Sequence, residues 1–153
     1  DFQQHVSDIE VSVKVADQKI AQINSELSTQ KVIQKHCDSY RLCRKVIEDC
    51  KSAKNPKVYR TKHQAEYQLH DSLKKELQDL GVTKIPSSNK IQKRIENLES
   101  EQTATLREKQ ELQKKQKTLK IIQQNFTALL DAPEISSDLL PAKKEPVSVT
   151  REK

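Results

Sequence analysis

The sequence predicts an all-α protein: a long antiparallel two-helix coiled-coil hairpin, a shorter third helix near its tip, and a disordered C-terminal tail. Charged residues make up 33% of the 153 residues and hydrophobic residues another 33%, whereas compact domains contain about 45–50% apolar residues. A single glycine and five prolines leave long stretches without a helix breaker. Apolar residues in those stretches alternate by four and three, as in a coiled coil. We therefore expect a helical module over residues 1–131 and a disordered tail over 132–153.

The first predicted helix covers about residues 8–53. Ser7 and Glu10 have the S-x-x-E spacing of a capping box at its start. Its apolar stripe turns polar at Gln30 and Gln34 and then resumes. The stripe consists of Ile9, Val13, Ala16, Ile20, Ile23, Leu27, Ile33, Cys37, Tyr40, Ile47 and Cys50.

A shorter second helix is predicted over about residues 56–80. Asn55 and Pro56 are residue types preferred at the N-cap and at the first helical position. Gly81 is the residue type preferred just after a helix ends. We expect part of the apolar side of this helix to stay free and to support a homodimer. That side consists of Val58, Ala65, Leu69, Leu73, Leu77 and Leu80.

The third predicted helix covers about residues 88–130 and follows an extended connector over residues 82–86. Ser87 or Ser88 is its expected N-cap. Because this helix is nearly as long as the first, the two are expected to lie side by side. Its apolar stripe consists of Ile91, Ile95, Leu98, Leu112, Leu119 and Phe126.

Charge favours an antiparallel pairing of the first and third helices. The start of the first helix is acidic and the end of the third is basic, so antiparallel packing brings opposite charges together. Exposed ion pairs contribute only ~0–1 kcal/mol each, so they select the register more than they stabilise it. The acidic residues are Asp1, Asp8, Glu10, Asp17 and Glu26, and the basic residues are Lys114, Lys115, Lys117 and Lys120.

The densest basic stretch covers residues 31–62, with ten basic residues against three acidic ones. It also contains Tyr40 and Tyr59, and mixtures of basic and aromatic residues are typical of nucleic-acid contacts. The alternative is a solvated helix surface that is charged only for solubility. The predicted DNA-binding residues are Lys35, Arg41, Arg44, Lys45, Lys51, Lys54, Lys57, Arg60 and Lys62.

No metal, cofactor or membrane partner is expected from the sequence. His63, Glu66 and His70 share one helix face, but their spacing matches no metal motif and favours a surface or packing cluster. No phosphate-binding loop or nucleophile motif occurs. No run approaches the roughly 20 apolar residues of a membrane span. Three cysteines without a zinc or disulfide spacing favour a reducing, cytoplasmic setting.

The middle of the chain resembles the C-terminal helical region of mobilisation relaxases of Gram-positive conjugative plasmids and transposons. The resemblance covers roughly residues 8–130. Its more specific parts are the Asn-Pro junction and the connector that follows the second helix. The matching runs are Ala53-Lys54-Asn55-Pro56, Tyr59-Arg60, His63-Gln64-Ala65-Glu66, Leu73-Lys74-Lys75-Glu76-Leu77, Leu80-Gly81-Val82-Thr83-Lys84-Ile85-Pro86-Ser87, Gln124-Asn125-Phe126 and Leu129-Leu130.

This resemblance implies a parent enzyme that nicks DNA through a tyrosine, with a metal-binding catalytic domain upstream of this segment. None of Tyr40, Tyr59 and Tyr67 matches that nucleophile, so no catalytic residue is predicted here. The chain begins at Asp1 and contains no Met, so we expect an excised segment. The implied role is non-catalytic: DNA binding, relaxosome assembly, or contact with secretion-coupling proteins. The alternative is a purely structural coiled-coil spacer or dimerisation element without nucleic-acid binding.

Overall fold

The computed structural model describes residues 1–131, and the predicted tail over 132–153 lies outside this part. About 90% of the described residues are helical, and none of them forms a strand. A 3₁₀ turn (Cys50–Ser52) follows the first helix. The helices are α1 (Phe2–Asp49), α2 (Pro56–Lys62), α3 (Gln64–Asp79) and α4 (Ser88–Asp131).

The start of α1 differs from the predicted capping box. The helix begins at Phe2, and Ser7 and Glu10 lie inside it. The Asp1 carboxylate accepts a hydrogen bond from the backbone N–H of Gln3 at 3.1 Å. The carbonyl of Asp1 accepts the first helical hydrogen bond, from the N–H of His5 at 3.1 Å. An acidic residue therefore caps the helix six residues before the predicted cap.

The second predicted helix is two helices that meet at His63. The N–H of His63 donates to the carbonyl of Tyr59 at 3.0 Å and ends α2, while its own carbonyl accepts from the N–H of Glu66 at 3.0 Å and begins α3. His63 has a non-helical conformation, with φ −109° and ψ 26°. No proline or glycine marks this break. Packing between α2 and α1 accompanies it, since the Tyr59 hydroxyl donates to the Val46 carbonyl at 2.9 Å.

Two predicted helix starts are confirmed by their hydrogen bonds, whereas α1 ends at Asp49, before the predicted residue 53. The Asn55 side chain accepts from the N–H of Val58 at 3.3 Å, with Pro56 at the first helical position. Ser87 caps α4, because its hydroxyl accepts from the N–H of Lys90 at 3.2 Å. Both caps satisfy a donor that has no partner inside its helix.

A Schellman motif closes α3 at Gly81. The N–H of Val82 donates to the carbonyl of Leu77 at 2.8 Å, and the N–H of Gly81 donates to the carbonyl of Gln78 at 2.9 Å. This geometry requires a left-handed residue, and Gly81 has φ +85°. Val82 also packs against the core cluster that contains Leu77, so the connector is anchored at its first residue.

The contacts divide the described residues into two units. Residues 1–13 and 110–131 belong to one, and residues 14–109 form the other. In the unit 14–109, polar contacts join α1 to α4 in opposite chain directions, since partner numbers on α4 fall as numbers on α1 rise. The pairs are Asp17 with Lys109 (2.6 Å), Asn24 with Gln102 (2.5 Å) and Gln34 with Gln92 (2.8 Å).

The core of the unit 14–109 is a thin apolar seam that α1, α3 and α4 share. Thr105 is buried on the same side of α4, and its hydroxyl donates to the Glu101 carbonyl at 2.8 Å, which satisfies its polar group. On α3 only Leu73 and Leu77 of the predicted apolar side are buried. The buried cluster consists of Ile23, Leu27, Ile33, Cys37, Leu77, Ile91, Ile95 and Leu98.

In the unit formed by residues 1–13 and 110–131, the apolar side chains are less buried than in the unit 14–109. Ile9 is buried, and Leu112 and Leu119 are half-buried. Phe126, predicted as a seam residue, is 61% exposed. None of the helices in the part of the chain described is long and apolar enough to cross a lipid bilayer.

Candidate nucleic-acid interface

The predicted DNA-binding residues lie along the second half of α1, the 3₁₀ turn and α2. We call residues 35–62 the basic segment. The Asn55 cap and Pro56 fix the start of α2, and the Tyr59 hydroxyl ties that helix to the Val46 carbonyl of α1. The turn therefore holds two lysine-bearing helices close together within one unit.

Six lysines of the basic segment are exposed. No ion pair within 4.0 Å involves any of them within residues 1–131. Their ammonium groups thus remain hydrated and able to meet an anion. The six are Lys35, Lys45, Lys51, Lys54, Lys57 and Lys62.

The three predicted arginines have partners inside the protein. Arg41 forms an ion pair with Asp38 at 3.2 Å and donates to the hydroxyl of Ser88 at 2.9 Å and to the carbonyl of Pro86. It therefore joins α1 to the start of α4, and contact with DNA would compete with these bonds. Arg44 pairs with Glu48, one helical turn away, at 3.2 Å, and both side chains are exposed. Such a pair is weak and exchanges readily.

Arg60 lies over the ring of Tyr67, with its guanidinium carbon 4.8 Å from the ring centroid. This cation–π contact holds the guanidinium at a shallow groove of about 480 Å³ along α2 and α3. Lys57, Gln64 and Asp71 also line the groove. The groove offers cations together with amide donors and acceptors, a mixture that suits phosphate and base contacts.

Gln64 and Gln68 of this groove were not predicted from the sequence. They lie one turn apart at the start of α3 and line the same groove as Arg60. The only available signal was their spacing of four residues beside a basic run. Because glutamine is common on exposed helix surfaces, that signal is too general to single them out.

The tyrosines in and beside the basic segment are half-buried and pack on neighbouring side chains. Tyr40 stacks on His70, with ring centroids 4.6 Å apart. The Tyr59 ring lies against His63 at 4.3 Å. Desolvation, with the nearby Asp49 carboxylate, raises the pKa of Tyr59, and a hydrogen bond with the Cys50 thiol raises the pKa of Tyr67. A raised pKa disfavours the phenolate that a tyrosine nucleophile would need.

The three histidines of the central region lie at helix contacts. His36 on α1 meets the Glu76 carboxylate at 3.0 Å, His63 lies 3.6 Å from Glu66, and His70 stacks on Tyr40. Residues 1–131 contain no cluster of three or more His, Cys, Asp or Glu side chains arranged to hold a metal. These contacts favour the packing interpretation of the histidine cluster over a metal site.

The two cysteines on α1, Cys37 and Cys43, are not arranged for nucleophilic chemistry. Cys37 and Cys43 are buried, and desolvation by burial raises the pKa of both thiols. Thiol reactivity requires the thiolate, which a raised pKa disfavours. Cys50 is half-buried, and its thiol donates to the Pro56 carbonyl at 3.7 Å. Here the thiol contributes to the junction between α1 and α2.

Comparison of the chain with protein-family models, with curated proteins and with solved structures finds no match to any of them.

Proposed function

We propose that this chain is a non-catalytic helical module that binds DNA through the basic segment. The observation that carries the proposal is the set of six exposed lysines along the basic segment, none in an ion pair within the described residues. Elsewhere in the same unit, Lys109 pairs with Asp17 and Arg94 with Glu26. Carboxylates thus neutralise these two cations across the α1–α4 contact, whereas the six lysines of the basic segment have no such partner within residues 1–131.

An unneutralised cluster of this kind fits a polyanion. Like charges close together repel one another, so such a cluster costs stability unless an anionic partner compensates for it. Lysine binds phosphate as a point charge without sequence preference, so the lysines supply affinity and orientation. Arg60 and Gln64 at the groove add groups that can reach a base or a sugar.

The biological setting we propose is the accessory region of a conjugative DNA relaxase, in the cytoplasm. This setting rests on the resemblance of the Asn55-Pro56 junction and of the Gly81–Ser87 connector to that family. In such a setting the module assists DNA binding or relaxosome assembly, and secretion-coupling proteins are further partners. DNA cleavage belongs to a separate catalytic domain.

The architecture we propose for the module is an antiparallel coiled-coil hairpin. The opposite chain directions of the α1–α4 contacts in residues 14–109 support it. So do the seven-residue steps of the buried stripe, as from Ile9 to Ala16 to Ile23 on α1 and from Ile91 to Leu98 to Thr105 on α4. A hairpin would present the turn, and with it the basic segment, at one end.

Titration of the protein into fluorescently labelled duplex and single-stranded DNA, at salt concentrations from roughly 20 to 200 mM, tests the proposed function. Each phosphate contact contributes about 0.9 to the slope of log K against log salt on duplex DNA. We expect the protein to bind DNA at low salt. The affinity should fall as salt rises, with a slope that corresponds to at least three phosphate contacts. Absence of binding at the lowest salt concentration would contradict the DNA-binding proposal.

A purely structural role is the second candidate. The long, thin seam of α1 and α4 favours it, since a narrow apolar stripe along extended helices is typical of spacers and dimerisation elements. Such a protein needs surface charge for solubility alone. Equal and negligible affinity for DNA at every salt concentration, together with a stable helical fold, is the outcome that favours this candidate.

A further inference from the structure

A second groove lies where the connector after α3 meets α1 and the start of α4. Its volume is about 450 Å³, within the range of sites that hold small molecules. All of its lining residues belong to the unit 14–109, and none of them belongs to the basic segment. We call it the connector groove. Its polar and charged lining residues are Gln30, Thr83, Lys84, Lys90 and Arg94.

Every ionisable side chain that lines the connector groove is a cation. These side chains are Lys84 on the connector and Lys90 and Arg94 on α4. Lys90 and Arg94 are four residues apart, so they lie on the same face of the helix. Lys84 and Lys90 are exposed, and neither forms an ion pair within 4.0 Å among residues 1–131. The groove along α2 and α3, by contrast, includes the carboxylate of Asp71.

Arg94 is held in position by an acidic partner. Its guanidinium pairs with the Glu26 carboxylate across the α1–α4 contact, and both side chains remain about half exposed. A guanidinium has five N–H donors, so one carboxylate leaves donors for a second anion. With Glu26 counted, the charged groups at the groove have a net charge of +2. Like charges that lie close together without compensation favour the binding of an anion.

Apolar side chains form the floor of the connector groove. Ile33 and Ile91 belong to the buried core cluster, and Val82 packs against that cluster. The amide of Gln30 and the hydroxyl of Thr83 add hydrogen-bonding groups beside this floor. A bare inorganic anion gains nothing from an apolar floor, whereas a nucleotide has a flat base with a stacking face and polar edges. The lining therefore fits a nucleotide better than an inorganic anion.

The connector is fixed before any ligand binds. The Schellman motif at Gly81 orders its first residues, and Ile85 packs against the core cluster. Arg41 donates to the carbonyl of Pro86 and holds the end of the connector against α1. The backbone of Lys84 lies between these anchors, so a ligand need not order it. Preorganisation of this kind favours affinity, because less conformational entropy is lost on binding.

We infer that the connector groove binds a nucleotide, with its phosphate monoester between Lys84, Lys90 and Arg94 and its base on the apolar floor. A phosphate monoester carries close to two negative charges at neutral pH, which matches the net charge of the groove. Such a group occurs on a free nucleoside monophosphate and at the phosphorylated end of a DNA strand. The inference does not depend on the proposed function, because no residue of the basic segment lines the groove.

Titration of the whole ¹⁵N-labelled chain with AMP, followed by NMR, measures this binding and locates it. We expect saturation with a Kd on the order of 0.5 mM and the largest amide shifts over residues 81–84 and 90–94. Adenosine and inorganic phosphate, the two halves of AMP, should each bind at least tenfold more weakly. A short 5′-phosphorylated oligonucleotide that shifts the same amides at lower concentration than AMP assigns the groove to a strand end. Otherwise a free nucleotide is the ligand.

Substitution of two groove lysines tests the role of the cations. Lys84→Gln with Lys90→Gln should weaken AMP binding at least tenfold. The matched control is Lys74→Gln with Lys75→Gln, which removes the same charge from exposed positions on α3 and should leave the Kd unchanged. Equal losses in the two variants overturn the inference.

Three further outcomes of the AMP titration overturn the inference. The first is the absence of saturable shifts up to about 5 mM AMP, ten times the expected Kd. The second is equal affinity for inorganic phosphate alone, which would leave the apolar floor without a role. The third is a set of shifts confined to the basic segment, and in that case the DNA-binding proposal still stands.

Discussion

Arg41 on α1 donates a hydrogen bond to the hydroxyl of Ser88 at 2.9 Å, and so joins positions 47 residues apart in the chain. The same guanidinium donates to the carbonyl of Pro86 and pairs with Asp38. One side chain thereby holds the connector between α3 and α4 against α1. The basic segment thus contains a residue with a structural role among residues that remain available for binding.

Replacing Arg41 with Ala should therefore destabilise the protein. Hydrogen bonds from charged groups contribute about 1.5–3 kcal/mol each when shielded, and Arg41 is partly exposed, so we expect a total loss of about 1–2 kcal/mol. Urea denaturation followed by circular dichroism measures it. Lys45→Ala is the control, since Lys45 is exposed and forms no ion pair in the described region. Equal stability of the two variants would contradict the structural role of Arg41.

Gly81 should tolerate substitution poorly for a conformational reason. Its φ of +85° disfavours residues with a Cβ, although a Cβ built there meets nothing within 4 Å. Gly81→Ala should cost about 1–2 kcal/mol of the free energy of unfolding, and Gly81→Asn less, because Asn adopts the left-handed region more readily. Thermal and urea unfolding compare the two. A loss for Asn as large as that for Ala would point to a different cause.

Leu77 should contribute far more to stability than Leu69 on the same helix. Leu77 is 1% exposed within the core cluster, and Leu69 is 47% exposed. We expect Leu77→Ala to cost about 2–5 kcal/mol, since it leaves a cavity. Leu69→Ala should cost less than about 1 kcal/mol. If the two variants unfold at the same urea concentration, α3 does not pack through the face described.

Stability should fall as the pH rises above about 9. Burial raises the pKa of Cys37 and Cys43 above the ordinary value of 9.0. Below that value both thiols are protonated in both states, so their contribution is complete. Above it the unfolded chain releases protons that the folded chain retains, so the free energy of unfolding decreases. The raised pKa values of Tyr59 and Tyr67 act in the same direction at higher pH.

Urea denaturation at pH 7.5 and pH 10 measures this dependence. Replacing Cys37 and Cys43 together with Ala removes the two thiols, so the fall in stability between the two pH values should be smaller than in the unsubstituted protein. Stability that rises over this range would contradict the pKa shifts.

The sequence predicted those parts of the fold that depend on local chemistry. Asn55, Gly81 and Ser87 mark helix ends because a side chain or a φ angle satisfies a local requirement, and that requirement is visible in the residue types. The break at His63 was not predicted, because no proline or glycine marks it and the contact that accompanies it, from Tyr59 to Val46, joins α2 to α1. The predicted start of α1 was wrong, because Asp1 caps the helix upstream of the capping box predicted at Ser7.

The same distinction applies to the candidate interface. Charge density alone identified the stretch that contains the exposed lysines. It could not distinguish Arg41, which has a structural role, from the exposed lysines, because its partners Pro86 and Ser88 lie more than forty residues away in the sequence. Nor could it indicate that Tyr40 packs on His70. Long-range contacts of this kind have no signature in a single sequence.

Charge reversal in the basic segment tests the central claim most directly. The variant is Lys54→Glu, Lys57→Glu and Lys62→Glu together, and the matched control is Lys74→Glu, Lys75→Glu and Lys93→Glu, which changes the net charge equally at exposed sites outside the segment. We expect the variant to lose at least tenfold in DNA affinity and about three units of salt slope. The control should lose much less. Equal losses in the two variants would contradict a DNA site in the basic segment.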